Sequence, residues 1–193
     1  DLDCMDVESI FQEVQKELSL KRWRHTQGVM NKAIELAQRH DGNVEQAYLA
    51  ALLHDVAREW SSEQWVAEAK TAGLVMDEAA LHSPVLLHAP LAAWVAKNRF
   101  GVIDKLVLCA IARHTIGGTG LSLLDKILFL AAALEEGRSY KGVEELRILA
   151  LQDIDVAMLS VYDQTLRYMI KREEAIHPET IAGRNELLWR RNQ

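Results

Sequence analysis

The residues best suited to chemistry are a histidine and an aspartate that stand side by side, His54 and Asp55. They lie within residues 50–58, a run that is otherwise apolar up to its closing arginine. Neighbouring residues on a helix are about 100° apart, so both side chains can lean toward one point beside the helix. An imidazole and a carboxylate that converge in an apolar pocket suit a divalent metal. This stretch therefore predicts a metal site around which the rest of the chain is organised.

The chain has seven histidines, and their neighbours divide them into groups. His40 and His82 fit ordinary structural or surface positions, and His177, which precedes a proline, is left open. Four others stand beside small or apolar residues at the start, centre or end of an expected helix, namely His25, His54, His88 and His114. Four imidazoles and the Asp55 carboxylate can hold one metal, or two if the carboxylate bridges. Iron, manganese, zinc and nickel all suit these donors.

Helical spacing of apolar residues runs through the chain. Glycine and proline are scarce, at 10 and 3 of 193 residues, and apolar residues recur three and four apart, as in amphipathic helices. We predict an all-α helical bundle in a single domain, residues 1–193, with an N-terminal helix in about 1–20 and a core in about 21–185. Gly42 is expected to adopt the left-handed conformation that ends the second helix. The predicted helices are 6–18, 22–40, 44–59, 61–70, 89–98, 103–113, 122–134, 143–150, 154–172 and 177–189, with a loop-rich connection at 71–84.

Bulk composition excludes several classes of protein. The net charge of −6 argues against nucleic acid as a partner, because phosphate backbones need a basic surface. No apolar run approaches the roughly 18 residues of a membrane helix, and acidic residues 1–4 lack a signal-peptide pattern. The two cysteines, Cys4 and Cys109, are far apart and form no disulfide framework. We therefore expect a cytoplasmic protein without a membrane partner.

Seven short sequence motifs, in a fixed order, resemble those of the HD-domain phosphohydrolases. Their flanking residues are most similar to the YqeK-type subgroup of symmetrical diadenosine tetraphosphate hydrolases. The resemblance covers about residues 24–185, which is nearly the whole chain. The motifs are Arg24-His25-Thr26-Gln27-Gly28-Val29, Leu52-Leu53-His54-Asp55-Val56-Ala57-Arg58, Leu87-His88-Ala89-Pro90, His114-Thr115, Ser122-Leu123-Leu124-Asp125-Lys126-Ile127, Asp163-Gln164-Thr165-Leu166-Arg167-Tyr168 and Ile176-His177-Pro178-Glu179-Thr180.

The resemblance implies how the metal ligands are shared. His25, His54, Asp55 and a further aspartate would hold one ion, while Asp55, His88 and His114 would hold the other. Asp55 is then both the bridging ligand and a catalytic residue. The resemblance favours iron as the cofactor, with manganese, nickel or zinc as the alternatives, and one or two ions bound.

The chain departs from the family pattern at one ligand. The aspartate that closes the first metal position in the family is replaced by Ala132. Glu135, one turn later, is expected to compensate by reaching back or by acting through water, or else a water takes the place of the missing ligand. Asp125, seven residues earlier, is about 10 Å away along the helix and cannot take its place.

The expected substrate is a nucleotide, cleaved by hydrolysis of diadenosine tetraphosphate into two ADP. Arg58 lies one turn beyond Asp55, so it can face the same pocket, bind phosphate bidentately and take part in catalysis. The other predicted substrate contacts are Thr115, Asp125, Arg138 and Arg167. The alternative is a regulatory protein that binds nucleotide and metal but has reduced or lost turnover because of Ala132. The oligomeric state is left open, with a homodimer as one alternative.

Overall fold

A computed structural model describes residues 6–192; residues 1–5 and 193, and with them Cys4 and the acidic start of the chain, lie outside the described part. Residues 6–192 form helices and no strand, which confirms the all-α fold class. None of these helices is long and apolar enough to cross a membrane. In chain order the helices are α1 Val7–Glu17, α2 Leu20–Arg39, α3 Val44–Leu53, α4 Ser62–Thr71, α5 Glu78–His82, a 3₁₀ turn Pro84–Leu87, α6 His88–Asn98, α7 Lys105–Arg113, α8 Leu123–Leu134, α9 Val143–Gln152, α10 Ile154–Lys171 and α11 Pro178–Arg191.

Short polar side chains cap the first turns of several of these helices. The Ser61 hydroxyl accepts a hydrogen bond from the Gln64 amide at 3.1 Å, which confirms the expected start of α4. Ser122 forms a full capping box with Asp125 at the start of α8. The two side chains satisfy each other's backbone amides, which the first turn of a helix leaves without partners.

The apolar helix α8 lies at the centre of the fold. It packs against α2, α3, α7 and α10, and it contains fully buried residues such as Leu128, Leu130 and Leu134. A helix that is apolar on most of its circumference is stable only when other helices surround it. Helix α8 therefore lies against α2, which carries His25, and against α3, which is followed directly by His54 and Asp55.

Helix α3 ends at Leu53, six residues before the predicted end at residue 59. The His54 Nδ1 donates to the Ala51 carbonyl at 2.6 Å. In a continued α-helix the Asp55 amide would bond that carbonyl, so the side chain competes with the helix. The backbone beyond it makes tighter turns, in which the Val56 amide donates to Leu53 and the Arg58 amide to Asp55. His54 and Asp55 are thus presented just after the end of a helix rather than within it.

Two other expectations about local structure are wrong. At the end of α2 the left-handed residue is Asp41, with φ 55°, and not Gly42. A Cβ on Gly42 would lie 3.0 Å from the Ile127 Cδ1, so this glycine allows close packing against α8. The predicted loop at 71–84 contains the short helix α5, which was missed because five residues are too few to show helical periodicity.

Candidate metal centre

Three histidines of the site share one local arrangement. Each ring directs its Nδ1 to the backbone carbonyl three residues earlier, which fixes the proton on Nδ1 and leaves the Nε2 lone pair free. Each of the three lies at a helix boundary, at or beside the first or last residue of its helix. The three bonds are His54 to Ala51 at 2.6 Å, His88 to Val85 at 2.5 Å and His114 to Ile111 at 2.7 Å.

The free Nε2 atoms converge on the Asp55 carboxylate from two sides. Its Oδ1 lies 3.3 Å from the His88 Nε2 and 3.5 Å from the His114 Nε2. Its Oδ2 lies 3.4 Å from the His54 Nε2 and 3.6 Å from the His25 Nε2. Two groups of possible ligands result, His25–His54–Asp55 and Asp55–His88–His114, and they share only the aspartate. The structure thus brings together all five predicted metal ligands.

The donor atoms fit a divalent cation. The Nε2 of the fully buried His54 has no hydrogen-bond partner among residues 6–192. The Nε2 atoms of His88 and His114 lie 3.2 Å apart, and both are lone-pair donors when the ring protons are on Nδ1. Buried polar groups without partners are costly, and a cation between these atoms would satisfy them. Imidazole and carboxylate donors suit iron, manganese, nickel or zinc.

The protonation states of these residues also suit a metal. Burial, followed by the neighbouring His54, lowers the pKa of His25 from 6.5 to about 4. Burial likewise lowers the pKa of His114 to about 4. Burial raises the pKa of Asp55, but the electrostatic interaction with His54 and the contacts with the surrounding imidazoles outweigh it and hold this pKa well below its usual value. Near pH 7, His25 and His114 therefore offer neutral imidazoles and Asp55 an ionised carboxylate, the forms that bind metal.

His25 differs from the other three because a carboxylate supports it. Its Nδ1 lies 3.1 Å from the Glu135 Oε1, while its Nε2 faces Asp55. Glu135, just after α8, is 5% exposed, and its Oε2 accepts a hydrogen bond from the Gly137 amide at 2.5 Å. A Cβ on Gly28 would lie 2.5 Å from the Glu135 Oε2, so this glycine leaves room for the carboxylate. Glu135 therefore binds the outer nitrogen of His25 and does not reach the position that Ala132 leaves without a ligand.

Arg22 is the residue that the sequence analysis missed. Its Nη1 donates to the Asp55 Oδ2 at 2.8 Å, which is a charge-assisted hydrogen bond to the proposed bridging carboxylate. The available signal was its spacing, since Arg22 lies three residues before His25 on α2 and shares its face. Such a signal is weak because arginines at this spacing are common on exposed helix faces.

A cavity of about 330 Å³ opens onto these ligands. Arg22, Arg58 and Arg138 line it, so three cationic side chains surround the cluster in a protein whose overall charge is negative. Thr115 and Ala132 also line it, which places the missing ligand at the wall of the same cavity. A site with ligands for a divalent metal and several guanidinium groups is suited to binding and hydrolysing a phosphorylated substrate.

Two of the predicted substrate contacts lie elsewhere. Asp125 is buried, closes the capping box of α8 and lies 3.4 Å from the Arg113 Nη1. Arg167 lines a separate cavity beside Asp163 and Arg184, which are themselves paired at 2.7 Å. Neither residue is among those that line the metal cavity.

Comparisons with known proteins agree with this geometry. A family model described as "HD domain" matches residues 22–137. A Bacillus subtilis protein named "Bis(5'-nucleosyl)-tetraphosphatase, symmetrical" is 35% identical over 91% of this chain and 94% of its own length. A Halalkalibacterium halodurans protein of the same name is 36% identical over 91% of this chain and 93% of its own. A crystal structure from Clostridium acetobutylicum, described as a predicted HD superfamily hydrolase involved in NAD metabolism, has a TM-score of 0.93 and 34% identity, and covers 96% of this chain and 98% of that one.

Proposed function

This chain belongs to the HD-domain family, and we propose that it is a metal-dependent hydrolase that splits diadenosine tetraphosphate into two ADP. The observation that carries the proposal is Asp55 held between two pairs of histidines in a cavity lined by arginines. Two relatives of similar length, each at least 35% identical, bear the name of this activity. We also propose that residues 1–193 form one HD domain.

The metal ligands in this proposal are His25, His54, Asp55, His88 and His114, with Asp55 shared by two positions. A divalent metal bound there lowers the pKa of water and neutralises charge on phosphoryl oxygens. Iron is the proposed metal, as the family resemblance implies, with manganese, nickel and zinc as alternatives, and all four suit imidazole and carboxylate donors. Arg22 holds Asp55 in place through its hydrogen bond to the Oδ2.

Arg58, Arg138 and Thr115 are the proposed substrate contacts. All three line the cavity, so they can bind the phosphate chain beside Asp55. A guanidinium can bind two phosphate oxygens at once, which fixes the position of a phosphorus atom as well as its charge. Water adds to one of the two central phosphorus atoms, the bond to the bridging oxygen breaks, and each half leaves as ADP.

We further propose a cytoplasmic location, supported by the low cysteine content.

The proposal can be tested by identifying the products. Metal-loaded protein is incubated with diadenosine tetraphosphate, and the nucleotides are separated by chromatography. ADP should be the single nucleotide product, and protein stripped with a chelator should release none. His82→Ala is a suitable control because this histidine is exposed and lies outside the cluster. ATP and AMP in equal amounts would refute symmetrical cleavage, and no product from metal-loaded protein would refute the hydrolase.

A further inference from the structure

Three cavities meet at Arg138. The metal cavity lies in the middle. On one side it shares Ala133, Val161 and Thr165 with a cavity of about 480 Å³, called here the aromatic cavity, which adds Tyr140, Gln164 and Tyr168. On the other side it shares Arg22 and His25 with a groove of about 900 Å³, called here the basic groove, which adds Lys21, Arg24, Gln27 and Asn31. A long substrate could therefore extend from the metal cavity in two directions.

The aromatic cavity is suited to a flat, uncharged ring. The Tyr140 hydroxyl donates to the Ala133 carbonyl at 2.8 Å, which anchors that ring at the boundary with the metal cavity. The Arg172 guanidinium lies 5.4 Å from the centre of the Tyr168 ring and supports it. Gln164 is held by its bond to the Lys141 carbonyl at 2.8 Å. The volume falls within the range of about 300–1,000 Å³ that small-molecule sites occupy.

The basic groove has a different character. No tyrosine, tryptophan or phenylalanine is among the described residues that line it. Lys21 and Arg24 are exposed along it, with Arg138 at its inner end. Its two carboxylates already have partners, since Glu135 binds His25 and Glu136 lies 3.0 Å from the Lys32 Nζ. This groove can attract phosphate, and the one aromatic ring among its described lining residues is His25, which faces Asp55 and Glu135.

Resting on the proposed function, we propose that the two halves of the substrate are recognised differently. One nucleobase stacks in the aromatic cavity on Tyr168, and its phosphates pass Arg138 into the metal cavity. The other half lies in the basic groove and is bound through its phosphates. The enzyme thus requires one nucleoside and a polyphosphate chain, although its substrate has two identical ends. Stacking tolerates any base, so the aromatic cavity selects for a nucleoside rather than for one particular base.

The stacking half of the proposal is tested with Tyr168→Leu. Loss of a stacking surface should weaken ADP binding, measured by calorimetry, by about 5- to 100-fold, and KM for diadenosine tetraphosphate should rise similarly. Tyr168→Phe keeps the ring and should restore both values. Trp189→Leu, at an exposed aromatic residue on α11, is the control for loss of an aromatic side chain elsewhere. Unchanged ADP affinity in Tyr168→Leu would overturn the stacking site, and this binding measurement requires no turnover.

The second half is tested with adenosine 5′-tetraphosphate, which has one nucleoside and the same phosphate chain. The protein should cleave it to ADP and pyrophosphate with a KM within about fivefold of that for diadenosine tetraphosphate. Lys21→Ala combined with Arg24→Ala should raise KM for both compounds alike. Cleavage of diadenosine tetraphosphate with no cleavage of adenosine 5′-tetraphosphate would overturn recognition by phosphate alone. If neither compound is cleaved, the proposed function fails, and ADP binding still decides the aromatic cavity.

Discussion

Among single residues, the most informative contrast is between Ala132 and Glu135. Alanine at position 132 leaves the His25–His54–Asp55 group without a fourth donor from residues 6–192. The chain places a buried carboxylate behind His25, 3.1 Å from its Nδ1. A carboxylate at this position makes the imidazole a stronger donor and fixes its orientation. Glu135 therefore supports the first metal position through His25, without itself becoming a ligand.

Glu135→Gln should weaken metal binding by about 10- to 100-fold, because the amide can still contact His25 but supplies no charge. The measurement is a competition titration of metal against a chromophoric chelator. Glu136→Gln is the matched control, since Glu136 is the next residue and its side chain is 72% exposed. Equal metal affinity for the wild type and Glu135→Gln would show that the contact with His25 has no effect on the site.

Ala132→Asp should add a ligand to the wall of the metal cavity. The expected result is tighter binding of metal at the first position, by about tenfold or more, with a second equivalent retained during dialysis. The bound metal is counted by elemental analysis, and ADP release is measured on the same samples. If the wild type is inactive and Ala132→Asp releases ADP, the alternative of a regulatory protein that has lost turnover would be correct.

Stability should depend on pH because the half-buried His25 and the buried His114 remain neutral in the folded protein. The pKa of His25 and of His114 falls from 6.5 to about 4 on folding. Below pH 6.5 the unfolded chain binds protons that the folded chain does not, so stability is full above pH 6.5 and is lost as pH falls toward 4. Metal-free protein moved from pH 7.5 to 5 should lose about 2 kcal/mol for each histidine, and the two together correspond to a fall of roughly 8–16 °C in Tm. His114→Gln should reduce this dependence, and a constant Tm across the range would contradict it.

At this scale the sequence predicted the five residues that the structure brings together, but not the residues that orient them. His25, His54, Asp55, His88 and His114 were predicted because histidines beside apolar residues at helix boundaries are uncommon. Arg22 and the role of Glu135 depend on side-chain directions that only packing fixes. Sequence alone does not distinguish a charged helix residue that faces solvent from one that faces a ligand. Only the structure therefore shows these two contacts.

At the scale of helices, Arg147 joins the end of α8 to α9. It is 8% exposed, and its guanidinium donates to the carbonyls of Leu134, Glu135 and Arg138 at 2.8, 2.7 and 2.9 Å. It also pairs with Glu144. The carbonyls at the end of a helix have no partners within it, so one arginine satisfies the turn that carries Glu135 and Arg138. The position of the carboxylate behind His25 therefore depends on α9.

Arg147→Leu should destabilise the fold and weaken metal binding together. The carbonyls of Leu134, Glu135 and Arg138 would each lose one hydrogen bond, at a combined cost of about 3 kcal/mol, which corresponds to roughly 6–12 °C in Tm. Thermal unfolding and the chelator titration measure the two effects. Arg190→Leu is the control, because this arginine is 57% exposed and an exposed ion pair contributes little. A loss of stability with unchanged metal affinity would separate the turn from the site.

Helix positions were largely predictable, and helix ends were less so. Ser61 and Ser122 are the N-caps of α4 and α8, and the apolar spacing that follows each serine predicts the length of the helix. The end of α3 was placed six residues too late because apolar spacing continues through residues 54–59. The hydrogen bond from the His54 ring to the Ala51 carbonyl ends the helix there. Helix propensities do not account for a buried histidine side chain that bonds its own helix backbone.

Across the whole molecule, the all-α class followed from composition and periodicity, while the cavities did not. The aromatic cavity combines Tyr140 from the turn before α9 with Gln164 and Tyr168 from α10. The basic groove combines the start of α2 with the turn after α8. Residues more than a hundred positions apart meet at Arg138, and only the packing of α2, α8 and α10 brings them together.

The most direct test of the central claim is a titration of metal into metal-free protein while ADP release from diadenosine tetraphosphate is recorded. ADP release should rise as the first one or two equivalents of iron or manganese are added and should then reach a plateau. Asp55→Asn, which keeps the shape of the shared ligand but removes its charge, should release no ADP at any metal concentration. ADP release by metal-free protein, or by Asp55→Asn at the rate of the wild type, would contradict a metal-dependent hydrolase centred on Asp55.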